Sequence, residues 1–202
     1  MKCIMQTATG RLVDLYKIQA TDICLDDIAD ALSRVVRFGG HSLGTTVLHH
    51  VRLVGYMLEL TGATPYQQLL GLLHDSEEAY IGDMPSPLKK HPDMQGYVKL
   101  GNSIRNVVYQ SFGIPLPKKA DQKVIDAADA AALYFEAEAY MPRVNTDWQD
   151  KCRETAEDLL TESMRIDAVG FLSGVVRQTR ESCRNGYVTK VERLVMACSR
   201  NS

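Results

Sequence analysis

His74 and Asp75 stand side by side directly after the apolar run Gly71-Leu72-Leu73, in a stretch whose hydrophobic spacing is helical. A buried helix face that accepts two adjacent polar side chains must supply partners for them, because an unpaired buried charge costs several kcal/mol. A divalent cation is such a partner. Imidazoles and carboxylates together suit a borderline or moderately hard ion and leave coordination positions for water and substrate. Glu78 follows Asp75 by three positions and His74 by four, so on a continuous helix all three project to one side, the arrangement of two ligands and a base. Its neighbour Glu77 reads as a solvated acid late in the helix.

Further ligands must come from elsewhere in the chain. His49 and His50 compete for one position. On a helix His50 shares a stripe with Val47, Val54 and Met57, whereas His49 falls with Arg52, Leu53 and Tyr56 on a mixed face, so His50 is preferred. His41, behind Gly39-Gly40, lies in a loop that could approach the same pocket; spacing alone leaves it in contention as a ligand, and substrate contact is the role expected of it. Asp121, Asp126 and Asp129 are all available on an alanine-rich helix. The small residues around Asp129 permit close packing that would carry its carboxylate inward, and it is the one chosen. Glu136 returns to the same face and would either orient a ligand or a basic residue, or form a plain salt bridge. A lone histidine on an apolar face is more often a satisfied core residue than a ligand, so the inference rests on the set.

The elements needed to bring this set together are helices. Apolar residues recur mostly at helical spacing, with no repeat, which predicts an all-α fold. After a short extended start around 11–16, helices are expected from Asp22 or Asp26 through Val35 to the Gly39-Gly40 break, and from Thr45 or Thr46 to Thr61-Gly62. Others are expected from Gln67 to Tyr80, Asp93 to Phe112, Lys118 to Tyr140, Trp148 to Met164 and Val188 to Cys198. Pro85 and Pro87 place Asp83 in a tight connection. The 202 residues, 45% hydrophobic and 24% charged, suffice for one domain, with a core over about 22–142 and a C-terminal helical elaboration over 143–202. A net charge of -2 offers no broad positive face for nucleic acid or an anionic membrane, so an anionic small molecule needs a local cationic site. The five cysteines show no CxxC pairing and are expected to be reduced thiols of a cytoplasmic protein. Neither a targeting segment nor an apolar run of membrane-spanning length is expected.

These segments resemble, in order, those of the HD-domain phosphohydrolases, in the 5′-deoxynucleotidase-like branch found in bacteria, prophages and phages. The resemblance covers about 26–142 and rests on Asp27 to His41, Val47 to Val54, Leu73-His-Asp-Ser-Glu-Glu-Ala-Tyr-Ile-Gly-Asp-Met-Pro-Ser-Pro-Leu-Lys89 and Ala128 to Glu136. It implies an HD-domain helical bundle, with His50, His74, Asp75 and Asp129 holding one divalent metal ion (manganese, cobalt, zinc or magnesium) and Glu78 as catalytic carboxylate. It further implies that Asp83 reads the sugar and that Arg37 and Phe38 line the substrate pocket, with Lys89 a possible second phosphate contact. Between His41 and His50 the chain departs from the family pattern, the loop being one residue short and His49 standing where a polar residue commonly precedes the ligand. The implied activity is hydrolysis of deoxynucleotide phosphate esters or anhydrides, on monophosphates or on triphosphates such as dATP, by a homo-oligomer. The competing expectations are a non-catalytic nucleotide sensor on the same scaffold and a helical interaction module with structural histidines.

Overall fold

The structure, a computed structural model, describes residues 2–200. It is all-α apart from one antiparallel hairpin of β1 (Ile4–Gln6) and β2 (Leu12–Asp14), registered with Met5 opposite Val13. The helices are α1 (Leu25–Leu32), α2 (Val47–Leu60), α3 (Pro65–Leu73), α4 (Glu78–Ile81), α5 (Ser86–Lys89), α6 (Gln95–Ser111), α7 (Lys119–Tyr140), α8 (Thr146–Leu159), α9 (Glu162–Val176) and α10 (Arg180–Ser199). No helix among the described residues is long and apolar enough to cross a membrane.

The centre of the architecture is α2, which packs on α3, α7, α9 and α10. Its crossing with α3 is close because each helix offers a glycine to the other. A Cβ on Gly71 would stand 2.3 Å from Leu58 Cδ1, and one on Gly55 would stand 2.6 Å from Leu72 Cδ2. No larger side chain fits at either point without moving a fully buried leucine. The later helices pack into the same interior: Leu172 and Val175 of α9 lie with Leu53 and Met57, and Tyr187 and Val191 of α10 lie with Leu69 and Leu73.

Several elements differ from expectation, each for a local reason. The first helix stops at Leu32 instead of continuing through Val35, with Ser33 Oγ donating to Asp30 O at 2.6 Å. The freed segment runs extended beside the entry to α2: Val47 N donates to Val35 O at 2.9 Å and Arg37 N to Thr45 O at 3.2 Å. This tie pins both ends of the loop at 38–44 and sends Arg37 inward. Leu43 N, donating to Tyr140 O at 2.7 Å, anchors the loop's middle on the end of α7. The expected helix from Trp148 to Met164 is two helices, because Thr161 caps α9 by accepting from Met164 N at 3.3 Å; most of α9 was not foreseen.

The most consequential difference is that the helix expected from Gln67 to Tyr80 ends at Leu73. The last carbonyls of a helix lack intrahelical donors, and here side chains supply them. His74 Nδ1 lies 2.8 Å from Gly71 O, and Tyr187 of α10 donates to Leu72 O at 3.1 Å. Ser76 N closes a tighter turn on Leu73 O at 3.1 Å, and Arg105 of α6 donates to His74 O at 2.8 Å. His74 and Asp75 therefore lie on a clamped turn rather than on a helix face.

Candidate metal centre

At the start of α2, Thr46 is the capping residue, and its backbone N–H donates to His49 Nδ1 at 3.1 Å. That bond occupies His49 at the helix end and leaves His50 facing the interior, fully buried. His50 Nε2 lies 3.3 Å from His74 Nε2, 2.9 Å from Asp129 Oδ1 and 3.7 Å from Asp75 Oδ2. His74 Nε2 lies 3.3 Å from Asp75 Oδ2 and 3.9 Å from Asp129 Oδ1. Four donor atoms from α2, α7 and the turn after α3 thus meet at one point, and His50, His74 and Asp129 alone form a group able to hold a metal ion. His41, the competing histidine, sits on the exposed loop outside that group.

Both rings are held from behind. Since a carbonyl only accepts, His74 Nδ1 donates to Gly71 O, and in the neutral ring Nε2 then carries a lone pair aimed at the cluster. His50 Nδ1 lies 3.1 Å from Glu136 Oε2, which sets its tautomer in the same way. The neutral centre is therefore two nitrogen lone pairs and two carboxylate oxygens with no donor among them, an arrangement that requires protons or a cation. Burial opposes protonation of His74, but Asp75 and Asp129 override it and hold its pKa well above the ordinary histidine value. The same contest raises His50, where burial and Arg37 are outweighed by Glu136 and Asp129. Asp129 is held well below the usual carboxylate range by the two imidazoles, against the effect of burial. These donors fit a divalent transition ion. The Asp129 side chain is 47% exposed, which marks the edge where the centre opens to solvent.

Arg37 is buried behind the cluster, with Nη2 3.0 Å from Glu136 Oε2 and Nη1 3.8 Å from Asp75 Oδ2. One Glu136 oxygen thus serves both the arginine and the back of His50; the fully buried glutamate both orients a ring and forms a salt bridge. The Phe38 ring centroid is 5.7 Å from the guanidinium carbon. Phe38 has φ 55°, a left-handed conformation rare outside glycine, and starts a turn that Gly39 and Gly40 continue at positive φ. Gly39 faces Pro85, so this turn meets the segment that carries Asp83.

Glu78 is 1% exposed, and it follows the turn rather than sharing one continuous helix with His74 and Asp75. It begins α4, with Oε1 2.7 Å from Lys89 Nζ, and Asp83 Oδ1 lies 3.9 Å from the same nitrogen. Burial and the negative Asp75 push the Glu78 carboxyl up to about 9. Lys89 thus pairs with two carboxylates. Glu77, expected in solvent, is buried and lies 3.2 Å from Arg105 Nη1, because the turn after Leu73 rotates it against α6. Burial pushes its carboxyl up to about 7. The expectations overlooked Arg105 and Tyr187, which clamp the turn. Neither carries a local signal, since the bonds they make depend on the helix break.

The structure is thus an all-α protein with a buried histidine-carboxylate cluster. No protein-family model matches the chain. It is 34% identical over 136 residues to the uncharacterized protein RCAP_rcc00048 of Rhodobacter capsulatus, a match covering 64% of this chain and 69% of that protein. It is also 34% identical over 113 residues to the uncharacterized protein YfdR of Escherichia coli, covering 55% of this chain and 59% of that protein. The chain belongs to the family of the Rhodobacter capsulatus protein.

Proposed function

We propose that this chain is a cytoplasmic metal-dependent phosphohydrolase acting on deoxynucleotides, with His50, His74, Asp75 and Asp129 holding one divalent ion. The observation that carries this reading is the convergence of two imidazole Nε2 atoms and two carboxylate oxygens, each ring locked through Nδ1, at an edge open to solvent. The ordered resemblance to HD-domain phosphohydrolases supports it.

When bound, such an ion supplies Lewis acidity and a water of lowered pKa. Glu78 is the proton acceptor: Lys89 fixes Oε1, while the buried Oε2 has no protein partner. Burial first and the negative Asp75 second hold the Glu78 carboxyl above the usual carboxylate range, which favours a group that takes up a proton. Arg37, held by Glu136, keeps a guanidinium beside Asp75 as the positive end of the centre. Phe38 offers a ring to the base, and Asp83, steadied by Lys89, offers an acceptor to a sugar hydroxyl.

The test is metal analysis after exhaustive dialysis, followed by chromatography of products from deoxynucleoside mono-, di- and triphosphates with manganese, cobalt, zinc and magnesium compared. His74→Ala and Asp75→Ala are expected to lose metal and hydrolysis together. Full retention of both by either variant refutes the assignment. A wild-type protein that keeps metal and nucleotide but cleaves nothing is instead a sensor.

A further inference from the structure

Arg52 follows His50 by two residues and so points from another side of α2, where it lies half-buried against α9 and α10. Among the described residues no carboxylate pairs with it. It borders a cavity of about 110 Å³ whose other walls include Gly55, Glu59, Phe171, Gly186 and Lys190. We propose that this cavity is an anion site, separate from the metal centre, that takes a single tetrahedral oxyanion of the class of orthophosphate and sulfate. The inference does not depend on the phosphohydrolase reading.

The guanidinium is fixed in place without a counter-ion. Its Nη1 donates to Gln178 Oε1 at 2.8 Å and lies 3.3 Å from Cys183 O and 3.1 Å from Cys183 Sγ. Its carbon stands 5.7 Å from the centroid of Phe171, a ring that stacks on Tyr56 with centroids 4.2 Å apart. Gly186 makes the position available, since a Cβ there would stand 3.0 Å from Nη2 and 3.3 Å from Cζ. All of these bonds use Nη1, and a guanidinium has five N–H donors in a planar fork. The charge balance favours an anion. Lys190 Nζ lies 2.6 Å from Glu59 Oε2, but that one carboxylate is shared with Arg193 at 3.7 Å, so three cations stand around a single acid. Size narrows the class: the cavity has room for three or four water molecules at roughly 30 Å³ each, enough for one oxyanion and too little for a nucleotide. Direction narrows it further. Arg52 and Lys190 donate from two different helices, and a tetrahedral anion presents oxygens both ways where a carboxylate presents them in one plane.

The experiment uses the full chain stripped of metal with a chelator and reads binding of orthophosphate, sulfate and acetate by calorimetry. His74→Ala, which disables the metal centre, is measured beside the wild type. Orthophosphate and sulfate are expected to bind both proteins alike, and acetate at least about tenfold more weakly, the worth of one hydrogen bond to a charged group. Arg52→Gln is expected to weaken orthophosphate by at least about tenfold, and Gly186→Ala, whose methyl displaces Nη2, to weaken it about three- to tenfold. Glu59→Gln removes the one acid from the wall and is expected to tighten orthophosphate about three- to fivefold, a gain that damaged folding does not mimic. Failure of the wild type to bind orthophosphate overturns the proposal, as does acetate binding equally well, a folded Arg52→Gln that keeps full affinity, or no gain in Glu59→Gln. Binding that disappears in His74→Ala assigns the anion to the metal centre and overturns it too.

Discussion

Gly71→Ala tests whether the α2–α3 crossing is what assembles the centre. The added methyl would stand 2.3 Å from Leu58 Cδ1 and 3.3 Å from Val54 Cγ1, both on fully buried residues. The first contact falls about 1.5 Å short of a normal carbon–carbon separation. Either Leu58 leaves its rotamer or the helices part. Overpacking of this kind costs about 2 to 3 kcal/mol, and the better helix propensity of alanine returns about 1 kcal/mol. A net loss of about 1 to 2 kcal/mol lowers the melting temperature by roughly 2 to 8 °C in a chain of this size. The larger effect is on the ligands. His50 rides on α2 and His74 on the end of α3, with Nε2 atoms 3.3 Å apart, so separating the helices disperses the donor set. Metal affinity is expected to fall about 10- to 100-fold, as when a group that orients a ligand is lost. Thermal denaturation and competitive metal titration read the two effects. Leu58→Ala, which alone costs about 2 to 5 kcal/mol, makes room for the new methyl, so the double variant is less destabilised than the sum of the singles. Unchanged metal affinity in Gly71→Ala, or strict additivity with Leu58→Ala, refutes the reasoning.

Exchange of the two adjacent histidines separates cap from ligand. His50→Ala abolishes metal retention, whereas His49→Ala loses only a cap interaction of about 1 kcal/mol and keeps its metal by elemental analysis. Glu136→Gln strips Arg37 of a buried counter-charge; denaturant unfolding shows a loss of about 3 to 5 kcal/mol, and His50 binds metal more weakly. Metal binding strengthens as pH rises. The raised pKa values of His50 and His74 mean that both carry protons in the metal-free centre near and above the ordinary histidine value of about 6.5, and an incoming ion must displace them. Calorimetry in buffers of different ionisation enthalpy detects that proton release. The same sign governs the metal-free protein: stability gained from the protonated rings is full below the unfolded value and is lost as pH climbs through the folded ones, so its melting temperature falls on the alkaline side.

What was legible in the sequence was whatever depends on local pattern. The stripe through Val47, His50 and Val54 picked out the histidine that the structure buries in the cluster, and the alanines around Asp129 foretold a helix that could bring its carboxylate there. Helices α2 and α7 matched expectation closely because their caps and apolar faces lie within a few residues of one another. What was not legible was whatever depends on distant partners. No proline lies between Gln67 and Tyr80, and the one glycine, Gly71, sits inside α3 rather than at its end. The helix ends there because Tyr187 and Arg105, both remote in the chain, take up carbonyls of the turn. Glu77 followed the same error, since its burial is set by that turn.

The bond from Tyr187 to Leu72 spans 115 residues. On the ribosome, His50, His74 and Asp75 emerge well before the residue that clamps their turn. At roughly 5 to 20 residues per second the gap lasts roughly 6 to 23 s. Through that interval His50, His74 and Asp75 are present but the turn lacks at least one of its two remote clamps. The order of synthesis thus separates the appearance of these side chains from completion of the turn that positions two of them.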